Sequence, residues 1–175
     1  MNTYGTNEAA AFLNGTGTDA IGRTIADYLA FDAVKWEECH NHVQWAFPSH
    51  IKSSFNMNAP VVDMDELVVK LTSQGVANVY SLLTNYMHSL GFVMDNERWV
   101  LNSEEAGWLT PYNHNYLRIS RILNFLSHLS PEDAFELLDV FLDVAQIYEH
   151  VIINGRYVLE VGTVVYWSKA AIGKL

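Results

Sequence analysis

The sequence predicts an all-α fold: a single compact multi-helix bundle, with at most a minor hairpin or short strand. Three observations lead there. Apolar residues recur at helical spacing through most of the chain. Several of these runs begin at side chains able to cap a helix. The composition is globular, with 50% hydrophobic and 17% charged residues in a chain of 175. That length fits one domain better than two and buries on the order of 70% of the unfolded surface. The periodicity suggests about six to eight helices.

Taken in order, residues 1–17 read as a flexible lead-in around Asn14-Gly15-Thr16-Gly17, and residues 18–175 as the folded domain. Gly15, Gly17 and Gly22 faintly resemble a phosphate loop, but no strand pattern precedes them and no Lys follows, so a flexible turn is expected. Thr18-Asp19 is placed to cap a helix whose stripe is Ile21, Ile25, Tyr28 and Leu29. Asp32 caps a second helix carrying Trp36, Cys39, His40, Val43 and Phe47. Pro48 ends it, because the residue before a proline avoids helical geometry. Residues 49–62 read as a polar loop closing on Ala59-Pro60.

Asp63 with Glu66 forms a capping-box pattern ahead of Leu67, Val68 and Leu71, and Gly75 is expected to break that helix. A stronger helix follows through Val76, Val79, Tyr80, Leu83, Met87 and Leu90, with Gly91 as its left-handed terminator. Residues 93–113 suggest an ordered loop around Trp99 and Trp108 that admits a short strand near Arg98–Leu101. His114 to Leu129 returns to helix, with Ile119, Ile122, Leu123 and Leu126 facing the core. Ser130-Pro131-Glu132-Asp133 is the clearest helix start: a Ser cap, Pro in the first turn, and acids against the dipole. That helix presents Ala134, Leu137, Leu138, Phe141, Ala145, Tyr148 and Ile152 on one side. Glu132, Glu136, Asp139, Asp143 and Gln146 form an acidic opposite face. Asn154-Gly155 is either a hairpin turn or a break between helices. The several-sided apolar pattern from Tyr157 to Ala171 favours a break followed by a buried last helix with Gly162 in its interior.

The net charge is −10, from 20 acidic and 10 basic residues. Such a surface repels a phosphate backbone, and no basic run reverses that locally, so no nucleic-acid partner is expected. Cys39 is the single cysteine, so no intrachain disulfide exists and a reducing, cytoplasmic setting is expected. The N-terminus has no basic n-region, and its longest apolar run, Ala9 to Leu13, is too short to span a bilayer. No membrane association is therefore expected.

Two segments carry a resemblance. The first is His40-Asn41-His42-Val43-Gln44-Trp45-Ala46-Phe47-Pro48. The second is His114-Asn115-Tyr116-Leu117-Arg118-Ile119-Ser120-Arg121-Ile122-Leu123. Together they resemble the two signature segments of the opioid growth factor receptor conserved-region family, approximately His-x-Tyr-Ile-Gln-Trp-Leu-Phe-Pro and His-Asn-x-Leu-Arg-Ile-Thr-Arg-Ile-Leu. Ala59-Pro60 and Leu90-Gly91-Phe92 fall between them as in the family, and the resemblance runs from about Trp36 to Ala170. His42 stands where the family usually has Tyr, Ala46 where it has Leu, and Ser120 where it has Thr. The resemblance implies an all-α fold and a small stand-alone version of microbial or viral type, without the long tails of animal members. Those animal members are described as nuclear-associated receptors for Met-enkephalin, a role that a domain match does not transmit.

At helical spacing His114, Arg118 and Arg121 share one face, beside a core-facing stripe. A guanidinium presents a planar fork suited to carboxylate or phosphate, and near a core it is costly unless paired. His40 and Gln44 fall at i and i+4 of the second predicted helix, next to Trp45. If the segments meet, His40, Gln44, Trp45, His114, Asn115, Arg118 and Arg121 form a polar pocket. The structural reading pairs the two Arg with Glu37, Glu38 or helix carbonyls. The functional reading is a non-enzymatic binding module for an anionic small molecule or peptide carboxylate. A small enzyme acting on a phosphoester or nucleotide-like substrate, with His40 or His114 as general acid/base, is the alternative. A purely structural protein-interaction domain, meeting a basic partner through its acidic face, is another. No catalytic nucleophile pattern is present, because Cys39 and His40 point about 100° apart on a helix. No metal is expected: His40-x-His42 on a helix does not face one ion, and there is no His-Glu-x-x-His or Cys pair. No cofactor is expected.

Overall fold

The computed structural model describes residues 4–175. Helix dominates it, but two small two-stranded sheets accompany the helices, so the fold is mostly helical rather than purely all-α. Where the sequence predicts one bundle, the chain divides into two compact units, Met1–Ser89 and Leu90–Leu175.

The first unit opens with α1 (Thr6–Leu13), which corrects the expected flexible lead-in over residues 1–17; residues 1–3 of that span lie outside the described residues. Ala9, Ala10, Phe12 and Leu13 are buried. Phe12 stands edge-on to Tyr28 and Trp45, with ring centroids 4.8 and 5.6 Å apart. A helix this short is marginal alone, and burying Phe12 and Leu13 at roughly 1.5–3 kcal/mol each is what holds it. The next expectation also fails, since Thr18-Asp19 starts no helix. α2 (Ile25–Leu29) begins at Thr24, whose hydroxyl accepts from Asp27 N while Asp27 accepts from Thr24 N. Ile21, the first member of the predicted stripe, is exposed.

α3 (Ala33–Glu38) starts as predicted, with the Asp32 carboxylate accepting from Lys35 N at 2.8 Å. It stops at Cys39, whose backbone is extended, and α4 (Val43–Ala46) is a separate turn of helix. α5 (Met64–Lys70) is capped by Asp63, again as predicted. The break before α6 (Ser73–Ser89) falls at Leu71-Thr72 and not at Gly75. Leu71 is extended, Thr72 N donates to Asn14 Oδ1 at 2.9 Å, and Gly75 N donates to Thr72 Oγ1 at 3.0 Å. Gly75 serves a different purpose inside α6. A Cβ there would lie 2.0 Å from Asn14 Oδ1.

The second unit begins where Leu90 and Gly91 end the α6 run, Gly91 taking φ +84° as expected. β1 (Phe92–Asp95) pairs antiparallel with β2 (Arg98–Leu101), so the predicted short strand has a partner that the sequence analysis left as loop. Trp108 Nε1 donates to Leu90 O at 2.8 Å and anchors the segment that follows. α7 (Asn115–Leu129) and α8 (Pro131–Tyr148) lie where the pattern places them, and Ser130 caps α8 ahead of Pro131. α7 packs against α8 and also against α9 (Val161–Ala171). The four predicted core residues of α7 are all buried.

Asn154-Gly155 is a hairpin turn rather than a helix break. β3 (Ile152–Ile153) pairs with β4 (Arg156–Tyr157), and the two turn residues have φ +51° and +77°, as a type I′ turn requires. The last helix consequently starts at Val161 and not near Tyr157, and Gly162 occupies its first turn, where the loss of propensity matters least. Trp167 from α9 is fully buried against Phe141 and Tyr116, and its Nε1 donates to Tyr116 O at 2.9 Å.

Candidate functional site

The first signature segment lies in the first unit. Because α3 ends before it and α4 starts at Val43, His40 and Gln44 do not share a helix face, as the sequence analysis expected them to. His40 is exposed in the bend between the helices, while Gln44 is half-buried on α4. His40 and His42 do not share a helix either. His42 is completely buried. Its ring lies 4.7 Å from Trp36, 5.6 Å from Phe31 and 6.0 Å from Tyr28, all edge-on. Trp45 is buried between Phe12 and Tyr4. Gln44 Oε1 and Trp45 Nε1 are both buried without a hydrogen-bond partner among the described residues.

The bend exists because Asn41 is held from outside the segment. Arg23 Nη2 donates to Asn41 Oδ1 at 2.9 Å and to Asn41 O at 3.3 Å, and Asn56 Nδ2 donates to Asn41 O at 3.2 Å. Arg23 is itself fixed by Asp19, whose carboxylate is buried. Asp19 Oδ1 accepts from Ile21 N and Arg23 N, and Oδ2 accepts from Arg23 Nε at 2.6 Å and from the Tyr28 hydroxyl at 2.9 Å. The Arg23 guanidinium lies 5.0 Å from the Tyr28 ring centre. Asp19, expected to cap a helix, instead holds Arg23. The available signal was their i, i+4 spacing.

The second signature segment lies in the second unit. His114 is the N-cap of α7, and its carbonyl accepts from Arg118 N at 3.3 Å. Asn115 is fully buried, with its N–H donating to Asn113 Oδ1 at 2.9 Å. Its Oδ1 accepts from Arg118 Nη1 at 3.3 Å, so the structure brings Asn115 and Arg118 together. Arg118 is 9% exposed and Arg121 half-buried. Burial pushes the Arg121 guanidinium down to about 10, opposed in part by the nearby Tyr166. One turn on, Asn124 is fully buried, and neither of its amide atoms has a hydrogen-bond partner among the described residues.

Among the described residues no group of three His, Cys, Asp or Glu side chains is arranged to hold a metal ion. Among the same residues no helix is long and apolar enough to cross a membrane. The acidic α8 face is exposed, and its Asp143 forms a surface ion pair with Arg98 of β2.

Residues 18–154 match the family described as the opioid growth factor receptor (OGFr) conserved region, a span that covers most of the chain and contains both signature segments. The chain belongs to that family. No curated protein and no solved structure matches it. Both segments fall within that span, and their buried members include His42, Trp45, Asn115 and Arg118.

Proposed function

We propose that this OGFr conserved-region chain is a non-enzymatic binding module, and that the Arg118/Arg121 face of α7 receives the anionic group of a small molecule or peptide carboxylate. Its supporting residues are His114 and Asn115 at the start of α7. The observation that carries this reading is the placement of two guanidiniums one turn apart on a core helix. Arg118 is nearly buried, and burial disfavours the charge of Arg121. An oxyanion accepting both ends of a guanidinium fork would relieve that desolvation in a way Lys could not reproduce. Asn115 Oδ1 already accepts from Arg118 Nη1 at 3.3 Å.

The test is thermal unfolding with phosphate, sulfate or a nucleoside monophosphate at fixed ionic strength. Wild-type protein gains about 2.7 kcal/mol when the bound anion is present at a hundred times its dissociation constant. Arg118→Ala and Arg121→Lys keep the helical circular dichroism signal and lose that gain. Early melting of both variants by about 3–5 kcal/mol, with no anion effect on wild type, would instead make the guanidiniums part of the architecture. Turnover of a phosphoester by wild type, lost in His114→Ala, would replace the binding reading with the enzymatic one.

A further inference from the structure

Between α7 and the start of α9, the second unit carries an open, solvent-facing cavity of about 300 Å³, the lower end of the range for small-molecule sites. Its walls combine Tyr116, Leu117 and Ser120 of α7 with Glu160, Thr163 and Tyr166 of α9 and its cap. None of these residues belongs to the anion site proposed above. We propose that this cavity binds a small neutral polyol, of the size and chemistry of a monosaccharide.

The argument rests on what the walls offer. Glu160 sits at the N-cap of α9, yet its carboxylate does not cap the helix, so it remains available as an acceptor. Thr163 N donates to Glu160 O at 2.9 Å, but with no capping side chain the N–H groups of Val161 and Gly162 supply donors at the same mouth. Gly162 also lines the cavity, and a Cβ built there would meet nothing within 4 Å, so a ligand can approach the backbone closely. The hydroxyls of Thr163 and Tyr166 add groups that donate and accept.

Charge decides between ligand classes. An anion would face the Glu160 carboxylate. A cation would face the positive end of the α9 dipole, with Arg121 acting on neighbouring Tyr166. A neutral ligand with adjacent hydroxyls uses the carboxylate as acceptor and the helix N-terminus as donor at once. The Tyr166 ring, half-exposed, and Leu117 provide apolar walls for the C–H faces of a sugar ring.

Heteronuclear NMR titration of the full chain with methyl α-D-glucopyranoside and with myo-inositol tests this. At least one should give saturable shifts confined to the amides of Ser120, Gly162, Thr163 and their neighbours. Glu160→Gln should weaken that binding about tenfold, as expected for a lost charge-assisted hydrogen bond. Tyr166→Leu should abolish it, and Tyr166→Phe, which keeps the ring, should retain most of it. Unchanged spectra of the variants without ligand show that the fold persists. The proposal is overturned if neither polyol gives saturation below roughly 100 mM. It is also overturned if neither Glu160→Gln nor Tyr166→Leu changes the shifts, or if phosphate or n-butylammonium binds these amides more tightly. Anion stabilisation through Arg118 is unaffected by Glu160→Gln, so the two sites fail or stand separately.

Discussion

Asp19 shows how much one side chain organises in the first unit. Its carboxylate takes two backbone N–H groups, one guanidinium and one phenol, and through Arg23 it holds Asn41 in the bend of the first signature segment. A buried carboxylate is tolerable only with that degree of satisfaction. Tyr28, its phenolic partner, is pushed far above its ordinary range by burial and then by the Asp19 charge. In the second unit Tyr116 donates to the Thr110 and Val158 carbonyls, and burial raises it to about 12. Both shifts have the same sign. The unfolded phenols lose their protons near pH 10 while the folded ones keep theirs, so the folded state binds more protons and stability falls as pH rises from 10 towards 12. Tyr116→Phe removes one such group. Its denaturation free energy between pH 10 and 12 should fall less steeply than wild type, by up to about 1.4 kcal/mol per pH unit. Equal slopes in urea titrations across that range would sink the account, whatever the variant loses at neutral pH through the missing hydrogen bonds.

At the scale of elements, the α5–α6 junction is governed by a residue 58 positions away. Asn14 Nδ2 donates to Lys70 O at 2.9 Å, and its Oδ1 accepts from the Thr72 N–H and hydroxyl. One amide thus closes the end of α5 and fixes the residue that starts α6. Gly75 is the clearance that lets Asn14 in. Helix propensity alone predicts that Gly75→Ala stabilises α6 by about 1 kcal/mol. The close approach predicts the opposite, because the new methyl would displace Oδ1 from Thr72. We expect Gly75→Ala to lower stability by about 1–3 kcal/mol, and by much less when Asn14→Ala is already present. Chemical denaturation of the four proteins of this cycle measures both terms. A stabilised single variant would return the site to propensity.

For the whole molecule, 20 acidic residues against 10 basic ones give a net charge of −10. The acidic α8 face, carrying Glu132, Glu136, Asp139 and Asp143, is exposed. Self-repulsion of this kind opposes compactness and is screened as the Debye length shrinks from about 30 Å at 0.01 M salt to about 8 Å at 0.15 M. Screening worth about 1 kcal/mol over that interval raises Tm by about 2–4 °C for a chain of this size. Differential scanning calorimetry in sodium chloride reads this directly. A Tm that stays constant or falls with salt would mean that local ion pairs, such as Arg98 with Asp143, outweigh the overall repulsion.

The family, the helical character and the long elements α6, α7 and α8 were legible in the sequence, because each is specified by contacts within a few residues: an apolar period, a cap, a terminating glycine. The start of α8 at Ser130-Pro131 is the clearest example. Asn154-Gly155 carried its hairpin signal locally, and it was outweighed by the apolar pattern of Tyr157 to Ala171, a period that short runs share between strand and helix. The candidate site was legible in part. Arg118 lies within helical reach of Asn115 and meets it, because α7 is continuous. His40 and Gln44 were misplaced, because the break between α3 and α4 depends on Asn41 being held by Arg23 and Asp19, which lie outside the helical period of residues 33–47. The same holds for α1, which is rich in helix formers but at eight residues too short to stand alone, and takes its order from Tyr28 and Trp45. Local chemistry is written in neighbouring residues and can be read from them. Side-chain capture across tens of residues is settled only when folding brings the partners within hydrogen-bond distance.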